Sequence, residues 1–288
     1  MDGRHSYSFP DSASDYPSLP YSSGNELADF TPVNDGIRTA ISAAIAMVAG
    51  YTNATFEYVD DGSADIMVAR TSTDGVGAAY ARYPGNSIPA AGDIWFNDIG
   101  FDSVEFFGTI YFRVALHELG HALGLKHSYD SGGVSNVALP DAHRSPEYTV
   151  MGAGLSFMRD DIRALQTLYG ADYTTESGST VYRWDPLTGQ KFINGAAQPI
   201  PGGPSAGTGM YNRIFETIWD GGGIDTYDLS NYTTNLLIDL NPGAASLFAA
   251  EQLVYVDGGR YASGNVYNAY LFNDDARSYI ENAIGGTG

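Results

Sequence analysis

Residues 117–127 contain the side chains whose types and spacing are best suited to catalysis, in the order His-Glu-Leu-Gly-His-Ala-Leu-Gly-Leu-Lys-His. His117 and His121 are four residues apart, so on a helix they lie one turn apart on the same face and can share one metal ion. Gly124 can adopt the left-handed conformation that ends a helix, and the resulting turn would bring His127 back to that ion. The spacing therefore predicts a three-histidine metal site.

Glu118 follows the first histidine and would point beside the metal rather than onto it. A carboxylate in that position can take a proton from a water molecule on the metal. Three neutral nitrogens and an open water position are typical of catalytic zinc, whereas structural zinc sites are closed by four protein ligands. The pattern predicts Zn²⁺ as cofactor and Glu118 as general base. The alternative, an amphipathic helix with solvated histidines, requires that the metal-ligand spacing arose by accident.

Composition narrows the class of protein. The 288 residues are 43% hydrophobic and carry 34 acidic against 14 basic side chains, a formal net charge of −20. This balance argues against nucleic acid or an anionic membrane surface as a partner, and no apolar run is long enough to span a bilayer. The first residues lack the apolar segment of a signal peptide, so we expect another export route or a processed amino terminus. The absence of Cys excludes disulfides and thiolate ligands.

Hydrophobic periodicity predicts the elements that would position the histidines. A first helix follows the cap Asn34 and ends at Gly50, and helices are also predicted at 111–123 and 159–169. Strands are predicted at residues 6–9, 55–59, 64–69, 77–83 and 93–96. Beyond residue 171 the chain consists of short alternating segments between Gly-, Asn- and Asp-rich turns, which favours an all-β second region.

Helix, strands and then an active-site helix is the order of a metzincin catalytic domain, and within that clan the chain resembles the serralysin family of secreted bacterial proteases. The motifs that carry the resemblance lie at residues 7–10, 79–85, 92–97, 124–127, 148–151 and 161–170. The resemblance implies an α+β metzincin catalytic domain at residues 1–170, with a mixed twisted sheet and an active-site helix. It further implies a β-roll-like calcium-binding domain at residues 171–288, truncated at its carboxyl terminus.

The same resemblance assigns residues around the zinc site. Met151 matches the methionine of the Met-turn beneath the zinc. Ala79, Tyr80 and Ala81 lie in the edge strand to which an extended peptide would add antiparallel. Serralysins usually place a tyrosine, an additional and displaceable zinc ligand, two residues after this methionine, and the present chain has Ala153 there. We therefore expect zinc held by three histidines only, and a slower but not abolished reaction.

Two stretches of the second half carry residues suited to calcium. Residues 219–230 combine glycines, which let backbone carbonyls turn inward, with aspartates, which supply charged oxygens. Residues 280–288 resemble the entry into the glycine-rich repeats that form a calcium-bound β-roll. Taken alone, either stretch is also typical of a Gly-Asp turn. By the resemblance, the ligands of Ca²⁺ are Asp220, Gly222, Gly223, Asp225, Glu281 and the carbonyl of Tyr279.

These observations predict a secreted, extracellular zinc endopeptidase. The resemblance implies polypeptide substrates, a proteinaceous inhibitor as a further partner, and a monomer. One alternative is a zinc-binding pseudo-enzyme, against which Glu118 argues because a binding protein needs no base there. The other is a calcium-stabilised adhesin-like protein, which the few repeats at residues 280–288 make less favourable. His5 and His143 lie outside the motif and are interpreted as surface histidines.

Overall fold

A mixed sheet forms the amino-terminal part of the fold. The computed structural model describes residues 3–17, 20–22, 24–60, 62–73, 77–85, 88–98, 110–132, 137–152, 154–200 and 212–288. The strands of this sheet are β1 (Arg4–Ser8), β2 (Phe30–Thr31), β3 (Thr55–Tyr58), β4 (Ile66–Thr71), β5 (Ala79–Ala81) and β6 (Ile94–Asn97). They lie in the order β3-β1-β4-β6-β5, and β2 pairs with the last two residues of β4, Arg70 and Thr71. Neighbours from β3 to β6 are parallel, whereas β5 is antiparallel to β6 and lies at the edge of the sheet.

The predicted strands are present, although their ends differ from the predicted ends. The strand predicted at 77–83 is shorter, because only residues 79–81 lie opposite residues 94–96 of β6. The Arg82 amide still donates to the Asp93 carbonyl at 2.9 Å, but the chain then turns through Pro84 and Gly85. The strand predicted at 64–69 instead runs two residues further, over Ile66–Thr71.

Helices α1 (Asp35–Tyr51), α2 (Ile110–Ala122) and α3 (Arg159–Tyr169) confirm the predicted helices. The Asn34 side chain caps α1 by accepting the Ile37 N–H at 2.9 Å. Gly170 ends α3 with a φ of +81°, a conformation that favours glycine. None of the described helices is long and apolar enough to cross a membrane.

The main core lies among these helices and the sheet. It is built from apolar positions of α1, α2 and α3, among them Ile41, Leu116 and Leu165, and is completed by Trp219 and Ala269 from the second half of the chain. The Trp219 indole N–H also donates to the Asp172 carbonyl at 2.8 Å. The two halves of the chain therefore contribute side chains to one core, which also contains the buried face of α2.

Two sheets form the remainder, and no α-helix occurs among the described residues after α3. The larger sheet, in the order β14-β11-β7-β8-β9, contains β7 (Val181–Trp184), β8 (Lys191–Ile193), β9 (Ala196–Ala197), β11 (Thr226–Asp228) and β14 (Asn282–Ile284). The smaller sheet, β10-β13-β12, contains β10 (Glu216–Ile218), β12 (Ala245–Ser246) and β13 (Val266–Asn268). A second apolar cluster takes side chains from both sheets. This all-β region follows the predicted fold class, while a calcium-bound β-roll stays a prediction.

Candidate metal centre

Helix α2 and the turn after it bring three histidines together. His117 and His121 lie one turn apart on α2, and Gly124 has a φ of +102°, which confirms the predicted left-handed turn. His127 returns so that its Nε2 lies 3.2 Å from Nε2 of His121. One ring nitrogen from each of the three residues lies within 4.8 Å of the others. No other such group of His, Cys or acidic side chains occurs in the part of the chain that the structure describes.

The second nitrogen of each ring is held by the protein. Nδ1 of His117 lies 3.1 Å from the Val150 carbonyl, and Nδ1 of His121 lies 2.7 Å from the Leu125 carbonyl. Nδ1 of His127 lies 3.3 Å from a carboxylate oxygen of Asp130. Carbonyl and carboxylate oxygens only accept hydrogen bonds, so these contacts favour a proton on Nδ1 and leave the Nε2 lone pair available.

Burial favours the neutral form of His117 and His121. It lowers the pKa of His117, and it lowers the pKa of His121 to about 4. Neutral imidazoles with convergent lone pairs repel each other unless a cation lies between them. The donor set, three nitrogens from one short segment, fits zinc.

Glu118 lies beside the histidines and near the edge of the sheet. Its side chain is buried, and burial raises its pKa to about 7, while a hydrogen bond from the Ala81 backbone N–H acts in the opposite direction. Ala81 belongs to the edge strand β5. Helix α2 and the sheet edge thus place a carboxylate next to both the histidines and the strand that was predicted to bind substrate.

Met151 lies beneath the histidines, in a short turn at residues 150–152. A Cβ added to Gly120 of α2 would lie 2.8 Å from the Met151 sulfur, so glycine permits this close contact. Asp161 fixes the turn from below. Its carboxylate accepts the Thr149 hydroxyl at 2.6 Å and the Val150 N–H at 2.7 Å, which the sequence alone did not reveal.

A cavity of about 310 Å³ opens above this turn. It is lined by Ala78, Arg113, Val114, His117, Glu118, His127, Tyr129, Met151 and Gly152. Two tyrosines near it were not singled out from the sequence. The Tyr129 ring stacks on His127 at 5.1 Å between centroids, and the Tyr83 ring meets His121 edge-on at 5.4 Å. Ala153, the position of the family tyrosine, lies outside the described residues.

The edge strand β5 directs some of its backbone N–H and C=O groups away from the sheet. The Arg82 N–H donates to the Asp93 carbonyl and the Asn97 N–H donates to the Ala78 carbonyl, so the even-numbered residues of this stretch bond to β6. In an antiparallel pair the alternate residues point their N–H and C=O groups the other way. Ala79 and Ala81 therefore direct their backbone groups away from β6, where no further strand lies among the described residues.

In the second half of the chain, the Asp220 and Asp225 side chains interact, and Glu281 bonds to the Asp225 backbone. Asp220 accepts the Gly222 N–H at 2.8 Å and the Tyr182 hydroxyl at 2.7 Å, and the Asp225 N–H donates to Glu281 at 2.7 Å. Burial, with repulsion between the two aspartates, raises the pKa of Asp220 to about 7, and burial also raises the pKa of Asp225. One buried oxygen of Asp225, Oδ2, has no hydrogen-bond donor. A carboxylate pair with such an oxygen fits a cation such as Ca²⁺.

The other predicted calcium ligands lie in the flanking turns. Gly222 and Gly223 have φ values of +143° and +144°, which side-chain-bearing residues rarely adopt. Tyr279 follows a short helical turn at residues 276–278 and precedes Glu281 by two residues. Asp225 and Glu281 each immediately precede a strand, β11 and β14, and these strands pair in parallel.

The two remaining histidines are less exposed than predicted. His5 is half-buried in β1, with its ring 5.4 Å from the Phe56 ring and 5.2 Å from the Tyr169 ring. The interpretation of His5 as a solvated surface residue is therefore wrong, because β1 pairs with β3 and packs its side chain between aromatic rings. His143 is half-exposed, and its Nδ1 lies 2.7 Å from the Asp160 carboxylate.

Comparison with known proteins gives the same picture for both halves. The profile of the Matrixin family of M10 peptidases matches residues 18–170, and that of the Peptidase M10 serralysin C terminal family matches residues 171–288. Serralysin B of Dickeya chrysanthemi is 33% identical over 233 residues, covering 73% of this chain and 42% of that protein. Metalloprotease AprA of Pseudomonas entomophila (strain L48) is 28% identical over 300 residues, covering 94% of this chain and 55% of that protein. The chain thus spans about half the length of these relatives.

Proposed function

Because this chain belongs to the serralysin-type metzincin metallopeptidases, we propose that it is a zinc-dependent endopeptidase that hydrolyses peptide bonds of extracellular proteins. The observation that carries the proposal is the convergence of three histidine nitrogens beside a buried glutamate at one cavity. His117, His121 and His127 would hold the zinc ion through Nε2. When bound, zinc supplies a Lewis acid that polarises the scissile carbonyl and acidifies the attacking water.

Glu118 is the general base in this proposal. Its carboxylate takes a proton from the attacking water and delivers it to the nitrogen of the leaving amine. Burial supports this role, since a carboxyl group with a pKa of about 7 can both accept and donate a proton near neutral pH. Met151 forms the floor of the site and is positioned by the turn that Asp161 holds.

The substrate would bind as an added strand. Ala79 and Ala81 direct their backbone groups away from β6, so an extended peptide can pair with β5 and lie antiparallel to it. Tyr80, between them, has its backbone bonded to β6 and its side chain on the opposite face. A peptide bound in this way passes close to Glu118, because Glu118 and Ala78, the residue before β5, line the same cavity.

The second half would bind calcium. Asp220, Asp225 and Glu281 supply carboxylate oxygens, and Gly222, Gly223 and Tyr279 supply carbonyls at the start of β11 and β14. We assign residues 1–170 to the catalytic domain and residues 171–288 to the calcium-binding domain, in which β14 would begin a β-roll. Secretion, a monomeric state and regulation by a proteinaceous inhibitor belong to the same proposal.

A clearing assay on casein and gelatin tests the function. The protein should clear both substrates, lose the activity with a zinc chelator, and regain it when zinc is restored. A protein that binds zinc stoichiometrically yet clears neither substrate would be a pseudo-enzyme. A protein that binds only calcium and clears neither would be an adhesin-like protein, and either result would contradict the proposal.

A further inference from the structure

Glu26, a buried carboxylate of the amino-terminal loop, joins that loop to the edge strand β5. Its side chain is only 3% exposed. One oxygen accepts the Tyr80 hydroxyl in a short hydrogen bond and the Arg82 guanidinium at 3.1 Å, and the other oxygen accepts the Ser22 hydroxyl at 2.6 Å. The Arg82 guanidinium also lies 5.4 Å from the centre of the Tyr80 ring. The Glu26 carboxylate thus binds the side chains of both Tyr80 and Arg82, which are two residues apart in the chain.

This contact lies on the face of the sheet opposite the histidines. The side chains of Ala79 and Ala81 pack against the main core, which includes the buried face of α2, whereas Tyr80 packs against a separate aromatic cluster around Trp95. Glu26 therefore does not touch the cavity or a peptide lying along β5. It can act there only through the position of the strand.

The position of β5 matters for two contacts at the site. Ala78, directly before this strand, lines the same cavity as Glu118, so a shift of the strand moves the substrate-binding edge relative to the carboxylate. The outward backbone groups of Ala79 and Ala81 set the register of an added strand, because strand pairing aligns donors and acceptors along the whole edge. An edge strand of three residues, bonded on one side only, has few backbone contacts of its own to fix it.

On the basis of the proposed function, we propose that Glu26 is a positioning residue. It fixes the substrate-binding edge of β5 relative to Glu118. The charge-assisted bond to Arg82 and the bond to Tyr80 hold the strand from behind. Weakening them leaves polar groups of both residues poorly paired at a half-buried site. The effect on binding grows with the number of substrate residues that pair with β5, so long peptides depend on Glu26 more than short ones.

Two variants and one matched control test this role. Glu26→Gln keeps the size of the side chain and removes the charge that pairs with Arg82. Tyr80→Phe removes one hydroxyl and leaves the Glu26–Arg82 pair in place. The control is Glu216→Gln, because Glu216 likewise joins an aromatic donor, Trp184 at 2.7 Å, to a cation, Lys191 at 2.5 Å, but lies in β10.

Hydrolysis is measured on a long peptide and on a short blocked peptide that contain the same scissile bond. For both test variants we expect KM of the long peptide to rise about tenfold, with kcat and the KM of the short peptide within about twofold of wild type. The Glu216→Gln variant should show no dependence on peptide length. An unchanged KM for the long peptide, or an equal rise for both peptides, would overturn the positioning role.

Hydrogen exchange supplies a second readout that needs neither metal nor substrate. The amides of Tyr80 and Arg82, which face β6, should exchange faster in Glu26→Gln than in wild type and Glu216→Gln, and unaltered exchange contradicts the proposal. If wild type cleaves neither peptide, the proposed function itself is wrong. If wild type cleaves both and the Glu26 and Tyr80 variants match it, only the positioning role is wrong.

Discussion

The histidine triad and the acidic cluster (Asp220, Asp225 and Glu281) differ in the charge that each carries before an ion binds. The triad comes from eleven consecutive residues, its Nδ1 atoms face oxygen acceptors, and burial keeps His117 and His121 neutral. The acidic cluster joins residues more than fifty positions apart, and burial raises the pKa values of its two aspartates. The first site is preorganised by local structure, whereas the second brings like charges together.

This difference predicts different roles for the two proposed ions. The helix, the turn and the Met151 contacts already place the histidines, so the role proposed for zinc is in the chemistry and not in assembling the site. Calcium would neutralise repulsion at the point where β11 and β14 begin, so it would stabilise the pairing of these strands. Loss of zinc should therefore abolish chemistry, and loss of calcium should loosen structure.

The largest effect is expected for His121→Ala. Removal of one of three ligands should weaken zinc binding by roughly a thousandfold, about 4 kcal/mol, because each ligand contributes a substantial share of the binding free energy. Titration of the metal-free protein with zinc measures this loss. The matched control is His143→Ala, which removes a histidine outside the triad and should bind zinc as wild type does; equal loss in both variants would refute the three-histidine site.

Calcium removal should have the next largest effect, and it should act on the second half first. At a calcium concentration of 100 Kd, binding stabilises the folded form by about 2.7 kcal/mol. Thermal unfolding with a calcium-selective chelator should show a lower midpoint with zinc content unchanged. Asp225→Asn should reproduce the shift without chelator, whereas Asp228→Asn, at an ion pair with Arg183, should leave the calcium dependence of the midpoint unchanged. A midpoint insensitive to calcium would argue against the acidic site.

A smaller effect is expected for Asp130→Asn. Asp130 contacts Nδ1 of His127 at 3.3 Å, and loss of an outer-shell carboxylate typically weakens metal binding 10–100-fold, about 1.4–2.7 kcal/mol. Zinc titration again provides the measurement. Asp141→Asn, at an exposed pair with Arg144, is the control. Equal zinc affinity in wild type and Asp130→Asn would show that the backbone alone orients the triad.

The sequence predicted best what local spacing controls. The histidines, Glu118 and the turn at Gly124 lie within one helix and its end, so their relative placement follows from helix geometry. The helices α1 and α3 were similarly clear, because their apolar residues recur with the helical period.

The contacts missed from sequence all depend on tertiary structure. Residues 10–29 have the composition of a loop, yet Tyr16, Tyr21 and Glu26 are buried against β5 and β6. A polar segment gives no periodic pattern, so nothing in it indicates which carboxylate reaches Tyr80. Asp161 was similarly hidden, since its partners Thr149 and Val150 belong to a turn that precedes its helix.

The most direct test of the central claim is a comparison of wild type with Glu118→Gln, measuring peptide hydrolysis and zinc content on the same samples. Glu118 is proposed as the base and not as a ligand, so the variant should retain one zinc ion and the native fold. Its rate of hydrolysis should fall by about 10²–10⁴ relative to wild type and to Glu57→Gln, a control on the exposed face of β3. Near-native turnover in the zinc-loaded Glu118→Gln protein would contradict the account.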